Sequence, residues 1–162
     1  MSDNPYTPPN APVDGREAER VGATWKAVLI GVTTDLLGTT IAGVVLVVFF
    51  SGMLVAQGNQ PEQIGARLLE SSAYQIVSLM VGLAFTALGG YVAARVANHH
   101  EYRHALIVGA IVLVIGEVLI SSDPTGMKLS LRVIGDLMVI PAALMGAHVY
   151  RVTRLQSRAQ IR

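Results

Sequence analysis

Three carboxylates, Asp35, Glu117 and Asp136, stand inside long stretches of chain that otherwise carry almost no charge. A carboxylate in such surroundings can hold a cation, relay a proton or close an ion pair. Each option needs a partner, because a charge near the centre of a bilayer costs ~2.5–3.5 kcal/mol on insertion scales. Arg132 precedes Asp136 by four residues, which places both on one helical face a turn apart. The spacing predicts a Glu117–Arg132–Asp136 cluster that ties two helices together, with an ion or proton path as its functional counterpart. Asp35 has no such neighbour in sequence. It lies about 13 Å beyond Lys26 by helical rise, among Thr33, Thr34, Thr39 and Thr40, and is the strongest functional candidate in the chain.

The segment His100-Glu101-Tyr102-Arg103-His104 matches H-E-x-x-H. In zinc proteases that pattern sets two histidines on one helical face with the glutamate as general base. Arg103 puts a positive charge beside the metal position, and a third ligand is hard to find. Asp136 would lie about 20 Å deeper by helical rise from Arg151, leaving His148 at comparable depth. His100 and His104 are therefore weak metal candidates, and a basic, titratable turn at headgroup level is the simpler expectation. No serine has a paired histidine to activate it, and the glycines follow helical spacing rather than forming a phosphate loop. The expectation is no catalytic residue, no metal, no cofactor and no enzymatic activity.

Four long apolar runs must position these groups: 27–56, 73–97, 104–121 and 129–150. The chain is 162 residues long, 52% hydrophobic and only 14% charged. A membrane-crossing helix needs about 20 apolar residues, a length all four runs approach or exceed. A water-soluble bundle would show a polar face on each helix, which segments such as 44–50 lack. Strands of a membrane barrel would alternate polar and apolar residues. The fold class expected is therefore all-α, a four-transmembrane-helix bundle. Asn59-Gln60-Pro61-Glu62 is a helix-start signal and predicts a short interfacial helix between the first two spans. Ser121-Ser122-Asp123-Pro124-Thr125-Gly126 reads as a turn.

Residues 1–26 carry Pro5, Pro8, Pro9 and Pro12 among polar residues, predicting a cytoplasmic N-terminal tail, disordered up to about Asp14, with no secretory signal. Arg16 to Arg20 has helical propensity and could prolong the first span. Residues 151–162 form a basic C-terminal tail. Of the 12 Lys and Arg residues, nine fall in the two tails and around the second loop (Arg95 and Arg103), against Arg67, Lys128 and Arg132 on the other side. Positive loops stay inside, so both termini are expected in the cytoplasm. With no cysteine, disulfides and thiolate metal sites are excluded, and a net charge of +1 does not point to nucleic acid.

Membrane helices associate by close approach of small residues. Gly82, Thr86, Gly90 and Ala94 form such a ladder on the second span, which marks it as central. The halves also resemble one another. Ala27-x3-Gly31-x6-Gly38 has the spacing of Ala105-x3-Gly109-x6-Gly116, and Leu79-Met80-Val81 parallels Leu137-Met138-Val139. Two duplicated hairpins about an axis along the membrane normal would produce this, and so would chance likeness between glycine-rich helices.

The tail Asn4-Pro5-Tyr6-Thr7-Pro8-Pro9 resembles the Asn-Pro-Tyr-x-Pro-Pro opening of many proteobacterial inner-membrane proteins. Gly89-Gly90-Tyr91-Val92-Ala93-Ala94-Arg95, followed by His104-Ala105-Leu106 and Gly109, is similar to a pattern in small uncharacterised four-helix bacterial membrane proteins. The resemblance implies a bacterial inner (cytoplasmic) membrane location, and it brings no activity. The first functional expectation is a structural or interaction protein, a homo-oligomer or an accessory subunit of a membrane complex, whose environment is the lipid bilayer. A small transporter or channel using Asp35, Glu117 and Asp136 is the alternative, and a zinc metalloprotease the remote one.

Overall fold

The structure, a computed structural model, describes residues 14–97, 99–122 and 128–159. These form five helices: α1 (Asp14–Ala56), α2 (Pro61–Glu70), α3 (Ser72–Ala97), α4 (Glu101–Ser122) and α5 (Leu129–Ala159). No strand occurs among the described residues. Four of the helices, α1, α3, α4 and α5, are long and apolar enough to cross a membrane.

Helix α1 is 43 residues long, roughly 65 Å at 1.5 Å per residue. It already begins at Asp14, so the expected tail is helical from that point, and residues 1–13 lie outside the described segments. No proline interrupts 14–26, and the single-residue breaks Gly15 and Gly22 are ones a helix tolerates at a cost of about 1 kcal/mol each, so the helix propagates back from the apolar run. The same holds at the other end, where α5 continues through Arg151, Arg154 and Arg158 to Ala159. The expected C-terminal tail is therefore largely a continuation of the last helix.

At its far end α1 stops at Gly58, whose φ of +85° favours a residue without Cβ. Gly58 N–H donates to the Val55 carbonyl (2.9 Å) and Asn59 N–H to that of Leu54 (3.2 Å), the paired bonds of a Schellman stop. Pro61 then opens α2 at a position where its missing N–H costs nothing. Helix α2 buries Leu68 and turns its polar face outward. Gln75 of α3 donates to the Leu69 carbonyl at the end of α2, and Lys128 Nζ donates to Ser72 Oγ (2.7 Å). These bonds lash α2, the start of α3 and the start of α5 into one end of the bundle.

The spans alternate in direction. Gly31 meets Gly89 and Ala93, whereas Gly38 meets Phe85, so α1 and α3 are antiparallel. Gly135 meets Leu79 and Gly90 meets Ala143, so α3 and α5 run together. Helix α3 packs against each of the other four. In cross-section the spans form a ring in the order α1, α3, α5, α4, with α3 also touching α4 across the middle. Among the described residues α1 and α5 make no approach. The α3–α4 diagonal therefore has no α1–α5 counterpart, and the two hairpins are not placed symmetrically.

Packing differs sharply between the two halves of the bundle. In the half that holds the termini and the α3–α4 link, Ala93, Ala94, Ala105, Ala143 and Ala147 are fully buried. A Cβ on Gly90 would overlap the Ala143 carbonyl, and one on Gly146 would overlap that of Ala87. The backbones themselves are in contact here. Towards α2 the facing residues are larger, and the helices diverge. Pro141 of α5 sits at the junction between these halves, followed by the buried Ala142 and Ala143.

Candidate functional site

The divergence leaves a cavity of about 360 Å³ between all four spans. Asp35 and Thr86 line it near mid-bundle, and Ser78, Gly82, Arg132 and Asp136 line it towards the α2 end. The remaining wall is mainly leucine, valine and isoleucine, with Thr39 and Thr40 of α1. Ser78, Gly82 and Thr86 are spaced by four residues, so one face of α3 presents a polar track leading to Asp35.

Asp35 is 2% exposed. Its Cβ lies close to where a Cβ on Gly89 would stand (3.1 Å), so the absence of a side chain at Gly89 is what seats α1 against α3 at this level. The Thr86 hydroxyl is within hydrogen-bonding reach of the carboxyl group. That hydroxyl has one proton and a second claimant, the Gly82 carbonyl at 3.1 Å. Among the described residues Asp35 Oδ1 has no hydrogen-bond partner, and neither does the buried Ser78 Oγ on the same cavity. Unpaired buried oxygens are uncommon because the lost hydration is not replaced. Two on one cavity wall define an acceptor surface.

Glu117, Arg132 and Asp136 come together at the other end. Arg132 Nη2 bonds Glu117 Oε2, which joins α4 to α5, and Asp136 is within hydrogen-bonding reach of Glu117. The Arg132 and Glu117 side chains are about one-third exposed. Arg132 and Asp136 face the cavity, while Glu117 holds the guanidinium from behind.

The packing ladder expected on α3 divides in two. Gly90 and Ala94 are buried in helix–helix contact. At Gly82 a Cβ would meet nothing within 4 Å, so Gly82 borders open space, while the buried Thr86 lines the cavity and reaches Asp35 of α1. The same small residues serve contact in one half and room in the other.

His100 does not share a helical face with His104. Helix α4 begins at Glu101, and His100 stands outside it at φ +46°. Its carbonyl accepts the His104 backbone N–H (3.4 Å) and contacts His104 Nδ1 (3.1 Å). His148 is engaged by the Tyr102 hydroxyl at 3.0 Å, and Glu101 by Arg154 at 3.1 Å. The segment works as a clasp between α4 and α5, and no group of three or more metal-ligating side chains assembles among the described residues. Ser78 was not singled out from sequence. Its signal was the Ser78–Gly82–Thr86 spacing, which reads equally well as a packing stripe.

Compared with known proteins, the chain matches no protein family, no curated protein and no solved structure.

Proposed function

We propose that this chain is a multi-pass membrane protein that holds a small solute inside the bilayer, in the cavity between its four spans. The observation that carries this reading is Asp35, buried, with one carboxylate oxygen unpartnered, on a cavity of ligand-binding size. Binding sites are typically ~300–1,000 Å³, mostly apolar, with a few convergent polar groups. Ionisable residues buried in spans most often mark a substrate or ion path. The charge asymmetry of the loops supports an inner-membrane orientation with both termini in the cytoplasm. The cavity then approaches the opposite face, and the tight glycine–alanine half seals the cytoplasmic side. A bundle shut on one side and hollow on the other has the form of one state of a small transporter.

The test is native mass spectrometry of protein in nanodiscs, comparing wild type with Gly82→Leu. Leucine at 82 points into open space and fills the cavity without disturbing a helix contact. A small-molecule adduct on wild type that is lost in Gly82→Leu supports the reading. Identical spectra overturn it. The same spectra count protomers, which bears on a structural or accessory role. The support for that second reading is Gly43 and Gly52, where a Cβ would meet nothing, on the exposed side of α1 among Val44, Val48 and Met53.

A further inference from the structure

We propose that the cavity's ligand is a small organic cation, an ammonium group on an apolar body, seated with its charge at Asp35. This rests on the cavity reading above and adds the class of ligand. The first argument is the inventory of charge. Among the described lining residues the one cation, Arg132, is bound to Glu117, and Asp136 stands beside that pair. Two carboxylates therefore already share one guanidinium. Asp35 is a third carboxylate with no cation of its own. An anionic ligand would meet this surplus of negative charge with its only guanidinium engaged. Without a cation Asp35 is left to neutralise itself by taking up a proton, so a neutral ligand gains nothing from its charge, whereas a cation does.

The second argument separates an organic cation from a hard divalent ion. Hard divalent ions require about six or more oxygen ligands. The oxygen-bearing side chains on the wall, Asp35, Thr39, Thr40, Ser78, Thr86 and Asp136, are spread over three helices, and among the described residues no group of three or more metal-ligating side chains assembles. The wall is otherwise mainly leucine, valine and isoleucine, which favours a ligand with an apolar body. An ammonium needs only one good counter-charge and a few acceptors. Asp35 Oδ1 and Ser78 Oγ are both unsatisfied, which supplies them. Among the described lining residues there is no aromatic ring, so a cation cannot be held by π-faces. Recognition of charge falls on Asp35.

The experiment uses the full-length protein in nanodiscs and three probes that share one ring and differ in charge: benzylammonium, benzyl alcohol and benzoate. Affinities are measured by calorimetry at neutral pH for wild type, Asp35→Asn and Gly82→Leu. Benzylammonium should bind at least tenfold more tightly than benzyl alcohol, with benzoate weakest. Asp35→Asn should abolish the preference while retaining benzyl alcohol. The wild-type ranking decides the matter even if Asp35→Asn fails to fold. Equal binding of benzylammonium and benzyl alcohol, both lost in Gly82→Leu, overturns the cation assignment and leaves the cavity reading intact. Binding that is indifferent to Gly82→Leu overturns both.

Discussion

Arg132 is the counter-charge of Glu117, with Asp136 beside the pair, and removing Arg132 alone leaves Glu117 without its partner. Arg132→Gln should therefore lower the melting temperature in detergent more than the Arg132→Gln/Glu117→Gln pair does. An additive double mutant would mean the ion pair is incidental. Asp35→Asn should behave differently. It removes an unpaired charge, so its melting temperature should match or exceed that of wild type while ligand binding is lost. A strongly destabilised Asp35→Asn would instead make Asp35 a structural anchor. Both clusters were legible in the sequence because charged residues inside apolar runs are conspicuous, and the four-residue step from Arg132 to Asp136 set their face. Ser78 was not legible. A serine in an apolar helix usually satisfies itself on its own backbone, and only the cavity distinguishes this one.

At the scale of elements, two glycines on α3 separate contact from space. Gly90→Leu drives a side chain into the Ala143 backbone, and overpacking of this kind costs about 1–3 kcal/mol or more. It should lower the yield of folded protein sharply, as read by size exclusion. Gly82→Leu should elute and melt like wild type. Equal damage from both would mean the helices do not diverge towards α2. The four apolar runs, the short α2 and the centrality of α3 followed from run length, from Pro61 and from the density of small residues. The partition of the α3 ladder did not. Small residues permit approach without requiring it, and whether a neighbour closes in depends on what the neighbour carries. Ala143 and Gly146 on α5 let it approach α3, whereas Leu131 and Val139 hold the cavity end open. Helical continuation through Arg16 to Arg20 was legible from helical propensity, whereas that into 151–159 was understated because polar composition was read as a boundary, although that segment contains no glycine or proline.

The whole molecule has two unlike halves, and the absence of cysteine makes them directly testable by thiol labelling. Single cysteines replacing Thr40, beside the cavity, and Gly109, in the tight half, can be probed with a membrane-impermeant maleimide in oriented vesicles. Position 40 should react only from the face bearing α2, and position 109 from neither face. Labelling of position 40 from the face bearing the termini would reverse the proposed sidedness. The junction of the halves coincides with Pro141, which has no N–H to donate to the Leu137 carbonyl one turn earlier. The backbone of α5 is thus one bond short at the level where packing changes from tight to open. Bending there breaks nothing, so the segment carrying Arg132 and Asp136 can swing as a lever while Ala142 to Ala147 stay clamped to α3 and α4. Such a lever would change the cavity's width without unlocking its base, and amide exchange in α5 should accordingly be fastest just before residue 141.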